Sequence, residues 1–366
     1  MYFIFFILPL ILLIPLVIYF YYFLKRILSL CRLDTQKRSI QITIGIIVLL
    51  FVFPSYNLFG FWALVVLHMF AFGILFDLLY WVIKKLRRNS MKIDKIYQVG
   101  ILPILCTVVI LGYGYWNMAQ VSCVSYTIQT DKAIHQSYRV ALITDLHFGN
   151  TMDQVKLNQY CQQISSKNPD IVLLGGDIVD EQSTYQQMQK AFWTLSKIKN
   201  RFGIYYVYGN HDRALYAQNP PFTKQQLKST IEDNGIHLLS DQAVKINQDI
   251  MLIGREDRSI QQRQTIQELT KKLSNDDFLL LLDHQPTGLD DNDQRRIDLQ
   301  LSGHTHGGQI FPVGIMIDWL GFGEMNYGYR QMSHMQVIVS SGIGGWGYPL
   351  RTGSHSEYVI VDINKK

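Results

Sequence analysis

Tyr138-Arg139-Val140-Ala141-Leu142-Ile143-Thr144-Asp145-Leu146-His147-Phe148-Gly149 is the stretch that decides the fold. Its apolar core shows no polar alternation, which marks a strand buried on both faces, and it stops abruptly at an aspartate and a histidine two apart. The same event recurs along the chain. Ile171–Gly175 runs into Gly176-Asp177, and Ile204–Tyr208 runs into Gly209-Asn210-His211-Asp212. Phe278–Leu282 leads to His284, and Leu299–Ser302 leads to Gly303-His304-Thr305-His306-Gly307-Gly308. Further strands are expected at Ile250–Ile253, Gln336–Ser340 and Tyr358–Asp362, with helices near 153–167, 184–199, 223–233, 260–273 and 287–294. Pro169 and Gly235 supply helix stops. Strands alternating with helices give a layered α/β sandwich, and in such folds ligands gather outside the carboxyl ends of the strands. The strand reading therefore brings all five motifs to one edge.

Taken singly, each motif has an ordinary reading. Asp-x-His is frequent, Gly-Asn-His-Asp fits a β-turn with an Asx cap, and His284 fits a strand end. The paired histidines between glycines are the most specific. Together they supply carboxylate, amide and imidazole ligands from five segments, enough to enclose two divalent cations. A pair of such ions is the usual physical solution for hydrolysing a phosphate ester. The mixed N/O donors suit Mn, Fe or Zn, with Mn favoured, and the absence of thiolate argues against a soft metal.

The order D-x-H, G-D, G-N-H-D, H, G-H-x-H resembles the calcineurin-like metallophosphoesterases, over roughly residues 136–366. The Gly303–Gln309 loop, Ser341-Gly342-Ile343-Gly344 and Pro349-Leu350-Arg351 look like the membrane-attached bacterial branch of that family. The resemblance implies a four-layer α/β-β/α sandwich. It assigns Asp145, His147, Asp177 and His306 to one metal, and Asp177, Asn210, His284 and His304 to the second. The expected chemistry is attack on phosphorus by a hydroxide bridging the two ions. His211 is expected to hydrogen-bond the phosphate or protonate the leaving group, with Asp212 orienting its imidazole. Asn210 and Arg351 are candidates for holding substrate, and Arg351 and Arg330 have the alternative of pairing at the surface. The expected activity is that of a metal-dependent phosphoric ester hydrolase acting on mono- or diester or pyrophosphate bonds. The alternative is a catalytically silent membrane receptor or scaffold that binds phosphate.

The first 119 residues are different in kind. Four apolar segments, at about 3–24, 40–59, 61–83 and 99–119, are each long enough to span a bilayer. Residues 1–119 hold eleven basic and three acidic residues, leaving 23 basic against 26 acidic in the remainder. The soluble part is thus mildly acidic, and a nucleic-acid partner is not expected. The basic residues cluster at 25–38 and 84–95, so the positive-inside rule puts both loops in the cytoplasm and the domain at 138–366 outside it. The expectation is a multi-pass plasma-membrane protein, a 120–137 connector with some strand character, and substrates that are lipid, lipid-linked or soluble phosphoesters. His68 and Asp77 lie within the third span, where helix–helix bonding competes with a relay or transport role. Residues 311–329, rich in aromatics and glycine, are either a loop packed on the sheet or an apolar lip beside the metals. The four cysteines suggest no disulfide framework, with a Cys123–Cys161 bridge left open.

Overall fold

The computed structural model describes residues 2–31, 33–58, 60–86, 91–274 and 276–366. Arg32, Phe59, Arg87 and Arg88, which enter the span and basic-loop expectations, lie outside the described residues. The chain divides into two compact units, Met1–Gly114 and Tyr115–Lys366.

The first unit is helical: α1 (Tyr2–Leu30), α2 (Arg38–Val52), α3 (Phe61–Leu86), α4 (Met91–Val99) and α5 (Ile101–Met118), whose last four residues belong to the second unit. Among the described residues, four helices are long and apolar enough to cross a membrane: Pro9–Leu30, Arg38–Tyr56, Phe61–Leu86 and Ile101–Met118. Helix α4 is an addition to the expectation, falling where a basic loop was anticipated. Asp77 is tied to α1, accepting from Arg26 Nη1 (2.9 Å) and Tyr19 Oη (3.0 Å). The His68 ring bonds within its own helix, Nδ1 donating to Leu64 O at 2.8 Å. Both residues thus have structural partners.

The second unit alternates strands and helices. In chain order they are β1 (Val121–Thr130), β2 (Tyr138–Ile143), α6 (Gln154–Ser166), β3 (Ile171–Leu174), α7 (Tyr185–Leu195), β4 (Ile204–Tyr206), α8 (Lys224–Asp233), β5 (His237–Leu238), β6 (Gln242–Lys245) and β7 (Ile250–Gly254). There follow α9 (Ile266–Thr270), β8 (Phe278–Leu282), α10 (Leu289–Gln294), β9 (Leu299–Ser302), α11 (Val313–Leu320), β10 (Gly328–Gln331), β11 (Gln336–Val339) and β12 (Ser356–Lys365). Two mixed six-stranded sheets result, ordered β1-β12-β2-β3-β4-β5 and β10-β11-β9-β8-β7-β6. The segment expected as a connector is mostly strand: β1 pairs parallel with β12 over ten residues, Val121 with Ser356 through Thr130 with Lys365. The strand character expected there is thus realised over Val121–Thr130, and its polar alternation fits an edge strand that keeps one face in water.

Side chains of β2 divide between two cores. Val140 and Leu142 join Leu173, Leu252, Leu280, Leu301 and Val361 between the sheets. Ala141 and Ile143 face Leu157 and Ile164 of α6, Phe192 of α7 and Leu227 of α8. A third cluster packs Ile266 and Leu289 on Ile253, Leu279 and Leu281 behind the other sheet. These three interfaces define the four layers, helices–sheet–sheet–helices. The helices begin where side chains satisfy the free N–H groups of the first turn: Asp153 accepts from Lys156 N, while Thr184, Thr223 and Thr265 each form a capping box with Gln187, Gln226 and Glu268. Helix α9 is shorter than the expected 260–273. All four cysteines are free, so the Cys123–Cys161 bridge is absent.

Candidate metal centre

Strands β2, β3 and β4 run parallel, as do β7, β8 and β9. Asp145, Asp177 and Asn210 follow the first three, and His284 and His304 follow β8 and β9, so their loops converge on one edge of the sandwich. Two clusters form there, each with donor atoms within 4.8 Å of one another: Asp145, His147 and His306, and Asp177, His284 and His304. Asp177 Oδ2 stands between them, 3.8 Å from His147 Nε2 and 3.2 Å from His284 Nε2. Asn210 Oδ1 is 3.2 Å from His284 Nε2, and His306 Nε2 is 3.6 Å from Asp145 Oδ1. All seven side chains named for metal at the sequence level are therefore together.

The backbone is strained to bring them there. Among the described residues nine non-glycine residues have positive φ, and five of them are Asp145, His147, Asp177, His304 and His306. Each such residue costs on the order of 1 kcal/mol, tolerated where the rest of the fold compels it. Gly209 is required by close approach, since a Cβ there would run into the Asp177 carboxylate and amide.

The donors are also electronically prepared. His284 Nδ1 donates to Gly175 O at 2.8 Å, which aims Nε2 at the cluster. His147 Nδ1 bonds Asp180 Oδ2 at 3.2 Å, leaving its fully buried Nε2 with no hydrogen-bond partner. Burial, reinforced by the neighbouring His284, depresses His304 to about 4. Burial likewise holds His306 well below the ordinary histidine range, helped by His147 and Arg351. Burial opposes ionisation of Asp177, but the charges of His284, His147 and His211 prevail and keep it a carboxylate. Burial would lower the His284 pKa, but the Asp177 charge holds it well above the ordinary histidine range. Imidazole nitrogens and carboxylate oxygens facing one another at 3.2–3.8 Å, one of them an orphaned buried atom, fit divalent cations, whose binding would displace that proton.

His211 sits at the mouth, with 14% of its side chain exposed. Its amide donates to Asp177 Oδ1 (2.8 Å), and its ring lies 5.1 Å from Trp346 and 5.3 Å from Tyr216 between centroids. The ring is oriented by Glu181, whose Oε2 is 2.9 Å from Nδ1. Burial alone would lower its pKa, but the Glu181 hydrogen bond and the Asp177 charge raise it instead.

Two expectations are corrected. Asp212 does not orient His211. Its carboxylate, fully buried, accepts from the backbone N–H groups of Asp177 (2.7 Å), Gly209 (2.6 Å), Ile178 (2.9 Å) and Val179 (3.2 Å). Burial and the Asp177 charge outweigh the pull of those donors and leave it at about 6. Arg351 does not face a ligand. It is fully buried, and its guanidinium donates to His306 O (2.8 Å), Ser341 O (2.7 Å) and Gly344 O, fixing the histidine loop from behind. Burial lowers its pKa to about 10. Arg330 is exposed and bonds Glu324 O. Glu181 and Asp180 were missed, although two acids three and four residues beyond Asp177 were a visible signal.

The chain has relatives among known proteins. Residues 138–308 match the calcineurin-like phosphoesterase family. An uncharacterised metallophosphoesterase of Helicobacter pylori strain J99 is 30% identical, covering 70% of this chain and 69% of the relative. A transmembrane protein with metallophosphoesterase domain from Danio rerio is 28% identical, covering 84% of this chain and 72% of the relative. This chain belongs to the calcineurin-like metallophosphoesterases, a family that binds two divalent metal ions.

Proposed function

We propose that the chain is a membrane-anchored phosphoesterase that hydrolyses phosphate mono- or diester or pyrophosphate bonds with two divalent ions. Asp145, His147, Asp177 and His306 would hold one ion, and Asp177, Asn210, His284 and His304 the other, with Mn favoured over Fe and Zn. When bound, the ions supply Lewis acidity, activating water and neutralising charge on the phosphoryl oxygens. The observation that carries this reading is the convergence of seven buried or nearly buried donors on strained loops, with His147 Nε2 left without a partner.

The chain's own residues do the rest. His211 stands at the solvent-facing side, charged more readily than a free histidine, and is suited to hydrogen-bond the phosphate and give its proton to the departing oxygen. Glu181 is a positioning residue that fixes the His211 ring and favours its protonated form. Asp180 fixes the His147 ring through Nδ1, which leaves Nε2 to face the cluster. Asp212 brackets the loops after β3 and β4 so that Asp177 and Asn210 stay adjacent. Trp346 and Tyr216 wall the approach to His211. The four apolar helices would confine this chemistry to a membrane surface, with the second unit on the extracytoplasmic side and lipid, lipid-linked or soluble phosphoesters as substrates.

The test is metal-dependent hydrolysis of bis-p-nitrophenyl phosphate and p-nitrophenyl phosphate by the full chain in nanodiscs, with metal content measured in parallel. Turnover with Mn that stops on chelation, at about two ions per chain, is expected. A folded chain that binds the ions without turning over either ester would instead be a phosphate-binding receptor, and one that binds none would refute both.

A further inference from the structure

The segment that follows the paired histidines is an exposed apolar stretch of the second unit. No residue of α11 is buried. Trp319 is 83% exposed, Phe322 69% and Leu320 61%, and Phe311, Val313, Ile315 and Met316 are exposed beside them. Asp318 is the only charged residue from Phe311 to Gly323. Soluble proteins rarely present such a contiguous apolar surface to water without a partner. A short apolar helix tipped with tryptophan and phenylalanine has the make-up of a segment that lies in a membrane interface.

The position of the segment names the partner. Its root is locked to the metal loop: Gly308 packs directly on Gly314, an approach that a Cβ on Gly308 would forbid. Gln309 O accepts from Thr352 N (2.9 Å) and Gly353 N (3.0 Å), and Phe311 N donates to Thr352 Oγ1 (3.0 Å). The same short loop holds the end of α5. Asn117 Nδ2 donates to Arg351 O (3.0 Å) and Ser354 O (2.7 Å), and Ser356 Oγ donates to Met118 O (3.2 Å). Within the second unit, then, the residues that emerge from the last apolar helix and the root of the exposed apolar segment are pinned to one stretch, 351–356. Tyr115 and Trp116, at the end of α5, are 67% and 60% exposed, as aromatics at a membrane boundary are. The root of residues 311–322 therefore lies beside Asn117 and Met118, the last residues of a helix long and apolar enough to cross a membrane.

We propose that residues 311–322 form a lip that inserts into the interfacial layer of the bilayer spanned by α5, holding the mouth of the metal centre at the membrane surface. The proposal rests on the membrane-anchored part of the functional reading. It does not depend on turnover, since the lip acts by burying Trp319, Leu320 and Phe322 among lipid rather than by touching the ions. Asp318 stays at the water boundary, the one polar group on an otherwise apolar turn.

The experiment uses the full chain in phosphatidylcholine/phosphatidylglycerol nanodiscs doped with a phosphatidylcholine that carries a diazirine on its acyl chain. After irradiation, lipid adducts are mapped by peptide mass spectrometry. Adducts on 311–322 are expected at a yield within about threefold of those on α5. Replacing Trp319, Leu320 and Phe322 together by Asn should lower the adducts on that segment about tenfold while leaving those on α5 and the hydrolysis of bis-p-nitrophenyl phosphate unchanged. Adducts on α5 with none on 311–322 would overturn the lip alone. Protection of 311–322 from lipid adducts, together with a dimer of the full chain that the triple Asn variant loses, would overturn it too, assigning the surface to self-association. Absence of adducts from α5 itself would overturn the anchored reading and the lip with it. Adducts on the lip of a chain that hydrolyses nothing would leave the lip standing and refute only the phosphoesterase reading.

Discussion

Replacing Asp212 and replacing Glu181 should have opposite signatures, although both acids belong to the surroundings of His211. In Asp212→Asn the amide keeps one acceptor oxygen and presents N–H groups where the other oxygen was. Each oxygen of Asp212 serves two backbone donors: Ile178 and Val179 on one, Asp177 and Gly209 on the other. The substitution strands two buried N–H groups at about 1–3 kcal/mol each, or roughly 2–6 kcal/mol together. Set against a stability of about 5–15 kcal/mol, this is a large fraction. For a unit of this size it corresponds to a fall of roughly 4–24 °C in Tm. The stranded groups belong to the loops that carry Asp177 and Asn210, so metal content should fall with Tm. Glu181→Gln keeps the shape and leaves the backbone untouched. It removes the charge that favours protonated His211, so turnover should drop about 100-fold with Tm within about 2 °C and both ions retained. The assays are a fluorescence melt of the detergent-solubilised chain, elemental analysis, and hydrolysis of bis-p-nitrophenyl phosphate. An Asp212→Asn chain that melts with the parent, keeps its ions and loses only turnover would show that Asp212 acts on His211 and that the backbone bracket is unimportant.

Three further outcomes follow from the same geometry. Gly209→Ala places a methyl group against the Asp177 carboxylate and amide, and should cost the chain at least one ion, read by elemental analysis, with activity down at least ~100-fold. Arg351→Met leaves the buried carbonyls of Ser341 and Gly344 without their donor and His306 O with Ser354 Oγ alone; a loss of about 3 kcal/mol in the melt is expected, accompanied by weaker metal retention. Burial raises Asp298 to about 6, above its value of ~3.9 in an unfolded chain, despite Leu279 N and the nearby Lys132. Its contribution is therefore fully present below about pH 4 and is lost as pH rises through 6, by up to ~3 kcal/mol. Asp298→Asn should flatten that slope, so the variant gains on the parent in melts at pH 8 and not at pH 4.

The sandwich was legible in the sequence because its signals are local. An apolar run such as Ile171–Leu174 declares a two-sided strand, and a histidine or aspartate at its carboxyl end declares the ligand edge. Strand β1 was legible only as strand character within a connector because an exposed edge strand alternates with polar residues, and the short β5, β6 and β10 are held by pairing with neighbours rather than by their own composition. In the first unit the spans were legible from length and hydropathy, while α4 was not, since its nine residues carry no net apolar signal.

What the motifs could not show was direction. Asp212 adjoins His211 in the chain, and adjacency suggested partnership, yet the turn after β4 sends the two side chains apart. His211 reaches outward to Glu181, thirty residues earlier, and Asp212 turns inward to the amides of the β3 loop. The deciding quantity is the number of unsatisfied donors. A loop that holds Asp177 at φ 51° with Gly176 and Gly209 pressed together leaves four backbone N–H groups pointing at one spot, and only a buried carboxylate can take all of them. The last residue of Gly-Asn-His-Asp is thus an acid because of the backbone beneath the metal centre, not because of the histidine beside it. Arg351 makes the complementary case, a buried cation answering the carbonyls of the loops around His306. With one charged residue bracketing stray amides and another bracketing stray carbonyls, the strained ligand loops are held from below and behind. The two clusters can therefore keep their donors in place before any ion arrives.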